Sequence, residues 1–154
     1  MLFLTQKQIS LSLKQICYVL GFILGVGLSN NGNAQTFAGN DLHYFGYCRI
    51  QNDTLVLVKI ENDDVYYLAK ALFENKTAQL KFVKDDDLYF LGRAILLMNK
   101  TELEKIKTDD WYYFGTALLA TNAEYLANIK SDDIFFLGKA ILERNIGILD
   151  KISR

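Results

Sequence analysis

From Asn40 to the last residue the chain repeats itself every 23 residues, and this spacing limits what it can fold into more than any other feature. Asp41, Asp64, Asp87, Asp110 and Asp133 stand 23 apart, and the same step joins Gly46, Ala69, Gly92, Gly115 and Gly138. A period of this length marks stacked supersecondary units, each unable to bury its apolar face alone. The units run 40–62, 63–85, 86–108, 109–131 and 132–154. They predict an all-α chain, an α-solenoid of about five helix-turn-helix repeats.

The unit opens with helix-start chemistry. Asn62, Asp85, Thr108 and Ser131 precede the aspartate pairs, and each is a preferred N-cap. The aspartates then fall in the first turn, where the positive end of the helix dipole favours them. Asn99, Asn122 and Asn145 recur where a left-handed residue would end the helix. Beyond them, Leu57 and Ile60, Leu80 and Val83, Leu103 and Ile106, Leu126 and Ile129, and Leu149 and Ile152 set an i, i+3 apolar pair in every unit. The unit is thus a helix A of about three and a half turns, a tight turn, and a helix B of about two turns. The absence of proline agrees with so much helix.

On a helical wheel, Val65, Leu68, Ala69, Leu72 and Phe73 cover one broad side of the second A helix, while Lys70 and Glu74 point outward. The small residues at the Ala69 and Ala71 positions let neighbouring A helices approach closely. The order Trp111, Phe114, Gly115, Leu118 and Ala127, with Leu91-Gly92 and Leu137-Gly138, resembles the helix A signature of tetratricopeptide and Sel1-like repeats. The resemblance covers residues 40–154 and implies peptide or protein binding on the surface lined by A helices. Lys81, Glu104 and Asp150 stand where unit four has Ala127, and the period is shorter than in that family, so helix B is truncated.

Residues 1–34 lie outside the repeat. Lys7 and Lys14, an apolar run from Ile16 to Leu28 and a polar stretch ending Gly32-Asn33-Ala34 give the order of a secretory signal peptide cleaved near Ala34. Residues 35–39 are a short linker. The apolar run of 13 residues is short beside the roughly 20 that a span requires, so a secreted or periplasmic location is expected; membrane anchoring by an uncleaved segment is the alternative. Removing residues 1–34 leaves 15 basic against 18 acidic side chains, a net charge near −3. That balance provides no basic stripe for nucleic acid. Only Cys48 remains, where the other units have alanine, and it is expected to act as a small buried hydrophobe.

The first unit departs furthest from the pattern. His43 takes an aromatic position, Tyr47 the place of Lys70, and Arg49 the place of Leu72, Ile95, Leu118 and Ile141. The run Thr54 to Ile60 has strand propensity, which points to a β-hairpin cap, with His43, Tyr47 and Arg49 as an alternative end site. At the other end the chain stops without a polar cap, so exposed apolar surface there would favour end-to-end self-association.

No catalytic constellation, metal-ligand spacing or phosphate loop is present, and no enzyme activity, cofactor or metal is expected. The aspartate ladder offers carboxylates to calcium, but helix capping accounts for the same residues. Asn52-Asp-Thr54, Asn75-Lys-Thr77 and Asn99-Lys-Thr101 are N-glycosylation sequons that also fit helix ends and starts. The expected function is a noncatalytic exported scaffold for a protein or peptide partner, held by an outward row of Lys70, Arg93, Thr116 and Lys139 with Tyr66, Tyr89 and Tyr112 beside it. A self-assembling envelope component, or a calcium or glycan module, is the alternative.

Overall fold

Three of the five units begin where a side chain captures a free N–H group of a helix start. Asn62 Oδ1 accepts from Val65 N at 3.0 Å, Asp85 Oδ1 from Leu88 N at 2.9 Å and Ser131 Oγ from Ile134 N at 3.4 Å. The computed structural model describes residues 38–153, and the segment expected from the sequence to be a signal peptide lies outside them. Five α-helices follow one another: α1 (Gly39–Gln51), α2 (Asp63–Glu74), α3 (Asp86–Leu97), α4 (Asp109–Ala120) and α5 (Asp132–Glu143). After each comes a six-residue 3-10 helix: Thr54–Lys59, Thr77–Phe82, Lys100–Lys105, Ala123–Asn128 and Ile146–Lys151. Six residues make two 3-10 turns. The fold is an all-α solenoid of five helix-turn-helix repeats.

The turn between the two helices differs from the sequence expectation by one residue. Asn52, Asn75, Met98, Thr121 and Arg144 carry the left-handed conformation, with φ between 50° and 56°. Asn99, Asn122 and Asn145 follow them and cap the 3-10 helices instead, each Oδ1 accepting the backbone N–H two residues on at 2.9–3.0 Å. Asp53 does the same for Leu55 N at 2.9 Å. This cap overrides the strand propensity of Thr54 to Ile60. The first unit is therefore helical, not a β-hairpin cap, and the described residues contain no strand.

Asp41 and the second aspartate of each later pair bind the end of their own unit, just before the next A helix. Asp41 accepts from Glu61 N (2.7 Å) and Asn62 N (3.2 Å), and Asp64 from Lys84 N (2.6 Å). Asp87 accepts from Lys107 N (2.8 Å), Thr108 N (3.0 Å) and the Thr108 hydroxyl (2.6 Å). Asp110 takes Lys130 N (2.7 Å) and Ser131 N (3.2 Å), and Asp133 takes Ser153 N (2.8 Å). Thr108 makes no side-chain cap for its own helix because Asp87 holds its hydroxyl. These charge-assisted bonds fix the start of each helix against its predecessor.

Packing between units rests on the glycine column. A Cβ on Gly92 would lie 2.6 Å from Leu80 Cδ2 and 2.9 Å from Leu68 Cδ1, so the preceding unit occupies the space a side chain would need. Gly115 sits likewise on Leu103 and Leu91, and Gly138 on Leu126 and Phe114. Gly46, in the first unit, sits on Leu149 and Leu137 of the fifth at the same 2.6 and 2.9 Å. Helix α1 packs against both α2 and α5 and against the last 3-10 helix, while no helix touches one two places away. The solenoid closes into a ring.

Closure at five units is compatible with local geometry. In α3, Leu91 meets the next helix at Gly115 and Gly92 meets the previous helix at Leu68. Adjacent residues lie about 100° apart around a helix, close to the roughly 108° interior angle of a pentagon. Leu88 and Ile95 bisect that angle and face the ring axis; Tyr89 and Arg93 face outward. The apolar carboxy-terminal residues are covered by this closure: Leu137 and Leu149 are fully buried and Ile152 is 2% exposed. Among the described residues the first unit covers this end, where the sequence led to the expectation of exposed apolar surface.

Ring closure brings Gly39 against Ser153, and both stand at the same joint of the 23-residue register. A circular permutant that joins Arg154 to Asn40 and opens the chain between Asp85 and Asp86 is expected to keep its helical circular dichroism and a cooperative thermal transition. An open stack would lose its new terminal contacts.

The aspartates give a second check. Asp87→Asn replaces a charged acceptor of three bonds with an amide whose N–H faces donors, and urea denaturation should show a loss of about 2–4 kcal/mol. Asp85→Asn should act in the opposite sense. Burial, with the Asp87 and Asp64 carboxylates adding, raises the Asp85 pKa above its usual range. The folded state thus binds the proton more tightly than the unfolded, so ionised Asp85 lowers stability at neutral pH. Asparagine caps α2 equally well at position 62. The variant should melt higher at pH 7, and its advantage should shrink as the pH falls through the carboxylate range.

Candidate functional site

The outward side of each A helix carries two residues four apart, one turn above the other. They are His43 and Tyr47, Tyr66 and Lys70, Tyr89 and Arg93, Tyr112 and Thr116, and Phe135 and Lys139. Ring closure makes the expected row a belt, with Tyr47 as its fifth member. Lys70 Nζ lies 5.8 Å from the Tyr66 ring centroid, and the Arg93 guanidinium 5.9 Å from that of Tyr89. Thr116 turns its hydroxyl inward to donate to the Tyr112 carbonyl at 2.8 Å.

The cations of the belt are not equivalent. Arg93 Nη2 meets Glu102 Oε1 at 3.1 Å, Nη1 donates to the Tyr89 hydroxyl at 3.3 Å, and Lys105 Nζ reaches the other Glu102 oxygen at 3.0 Å. Glu102 is 5% exposed; the Lys105 hydrogen bond, with the Arg93 charge adding, lowers its pKa below the usual carboxylate range. The Tyr89 hydrogen bond and the Glu102 charge raise that of Arg93. Lys70 and Lys139 have only i, i+4 contacts with Glu74 at 4.0 Å and Glu143 at 3.9 Å. Such pairs contribute about 0.3–0.5 kcal/mol and yield readily to another anion.

Sequence reasoning passed over two residues that finish this surface. Glu102 and Tyr125 occupy the same position of their 3-10 helices, where the other units have Val56, Gln79 and Ile148. Glu102 closes the belt at α3. Tyr125, 39% exposed, stands at the same position in the fourth unit, where Tyr112 is 36% exposed. The variability of this position within an otherwise regular repeat was the available signal.

His43 and Tyr47 share the outward face of α1, and Arg49 makes its contact elsewhere. The Leu149 carbonyl can only accept, so His43 Nδ1, 3.2 Å away, donates to it and ties α1 to the fifth unit across the closure. Tyr47 packs against the apolar core. Arg49 points toward the ring axis, where Nη1 donates to the Leu72 carbonyl at 3.4 Å. Partial desolvation by the surrounding protein lowers its pKa, although the side chain keeps an exposed edge. The neighbouring Cys48 is fully buried and free, and burial pushes its thiol up, as suits a packed apolar side chain.

The aspartate ladder has little coordination to offer a cation, because each carboxylate described above already accepts backbone N–H groups. Among the described residues no group of three or more His, Cys, Asp or Glu is arranged to hold a metal ion. Asn52 and Asn75 of the first two sequons are exposed at the left-handed turn, whereas Asn99 Oδ1 is engaged by Thr101 N and its hydroxyl at 3.0 and 2.9 Å. No helix among the described residues is long and apolar enough to cross a membrane. Comparison of the chain with protein-family models, with curated proteins and with solved structures finds no match.

Proposed function

We propose that the chain is a noncatalytic exported scaffold that binds a protein or peptide partner through the outward belt of its A helices. The observation that carries this reading is the recurrence of half-exposed aromatic and cationic side chains at i, i+4 on successive units, with Lys70 and Lys139 only loosely paired. Tyrosine supplies flat contact area with a polar tip, and its cost in side-chain entropy is small. Lys70 and Lys139 can exchange their distant glutamates for acidic groups of a partner, while Arg93, held by Glu102 and Tyr89, keeps its neighbourhood rigid. The tetratricopeptide-like signature of α4 points the same way, since that family uses surfaces lined by A helices.

The double variant Lys70→Glu, Lys139→Glu should reduce capture of the partner by the tagged full chain at least tenfold, about 1.4 kcal/mol. Its helical circular dichroism should stay unchanged. Unaltered capture would reject this face.

A further inference from the structure

The ring axis ends differently at its two mouths. At the amino-terminal end of the helices the axis-facing residues are Leu42, Val65, Leu88, Trp111 and Ile134, all buried. The equivalent layer near the carboxy-terminal end is Arg49, Leu72, Ile95, Leu118 and Ile141. Here Ile95, Leu118 and Ile141 are partly exposed and Arg49 is exposed, while Leu72 is 6% exposed. One guanidinium thus stands among four aliphatic side chains at an open end of the core.

Arg49 has a structural task that uses only part of its capacity. In α3, α4 and α5 the carbonyls of Ile95, Leu118 and Ile141 accept from the left-handed residues Met98, Thr121 and Arg144. In α2 the N–H of Asn75 goes to Ala71 instead, and Arg49 Nη1 takes the Leu72 carbonyl. A guanidinium has five N–H donors, and among the described residues no carboxylate pairs with this one. The helix-end carbonyls around it are already capped, by Lys76 and Asn99 as well as the residues named above. Arg144 adds a second positive charge at this end, and Met98, 72% exposed, adds apolar surface.

We propose that this mouth of the ring is a binding site for an aliphatic monocarboxylate. The free edge of the Arg49 guanidinium takes the carboxylate, for which its planar fork is matched. Leu72, Ile95, Leu118 and Ile141 take the hydrocarbon. The site lies on the opposite side of the A helices from the belt and does not depend on partner binding there.

Octanoate titrated into the detergent-free full chain, followed by calorimetry and by the NMR signals of the Arg49 Nε–H and the isoleucine methyls, tests the site. Saturable binding is expected, with octanamide at least tenfold weaker. Arg49→Leu installs the residue type found in two sister units and should weaken octanoate at least tenfold; Arg49→Gln, which can still donate to the Leu72 carbonyl, should do the same if the leucine variant does not fold. The Lys70→Glu, Lys139→Glu variant should bind octanoate as the parent does. Equal binding of octanamide, undiminished binding by the Arg49 variants, or no saturable binding would overturn the proposal.

Discussion

The carboxylate of the second aspartate in each unit is the interaction on which the rest of the structure depends. It sits in the first turn of one A helix and accepts the N–H groups that precede the next. A dipole-favoured aspartate on an isolated helix would contribute about 0.3–1 kcal/mol. Here the same group satisfies backbone donors that no secondary structure satisfies, and hydrogen bonds to a charged group contribute about 1.5–3 kcal/mol. Asp41, Asp64 and Asp87 are buried, and the N–H groups they accept offset part of the cost of burying a polar side chain. The bond also determines how far each helix start rotates from its predecessor. Orientation and satisfaction of the backbone are one event.

Once that rotation is set, the glycine column sets how closely neighbouring units approach. Adjacent residues, such as Leu91 and Gly92, meet the two neighbouring helices, and the helix itself puts them about 100° apart. Four units would require about 90°, five about 108° and six about 120°, so this angle suits a ring of four or five better than one of six. Closure removes both ends of the stack. It buries the Leu137 and Leu149 side chains that an open array would leave uncovered, and burying a leucine contributes about 1.5–3 kcal/mol. A capping unit with a wettable outer face is then unnecessary. The first unit contributes ordinary stacking contacts, which explains why its Gly46 keeps the column's residue type although its surroundings differ in sequence.

Much of one unit was legible in the sequence and the assembly of units was not. The period, the N-cap residues at 62, 85 and 131 and the i, i+3 apolar pairs each read correctly because each rests on chemistry within a few residues. The left-handed turn was placed one residue late. Met98, Thr121 and Arg144 carry no local preference for that conformation, and the neighbouring asparagines offered a more familiar candidate. The first unit's strand propensity misled because the Asp53 cap and the Leu57 burial outweigh it. Closure left no mark in the periodicity, since open and closed arrays share the same repeat. It depended on an angle set by which two adjacent residues make the contacts. The belt residues were found from the wheel, but the partition of their cations needed Glu102, which no regularity announced.

Deviations from a repeat are informative only after the fold has accounted for those it can explain. Viewed along the sequence, His43, Tyr47 and Arg49 form one cluster of departures at the head of the chain. In the ring they separate by the side of α1 on which they fall. His43 holds the closure, since the Leu149 carbonyl it binds belongs to the unit farthest away in sequence. Tyr47 fills a belt position in the half-buried manner of its counterparts. Arg49 alone exceeds its structural need, with one long bond to a helix-end carbonyl and the rest of its donors directed to an apolar mouth. The two surfaces lie on opposite sides of the same five helices. Each helix can therefore vary its outward pair and its axial residue independently, while the aspartate and glycine between them keep the ring closed.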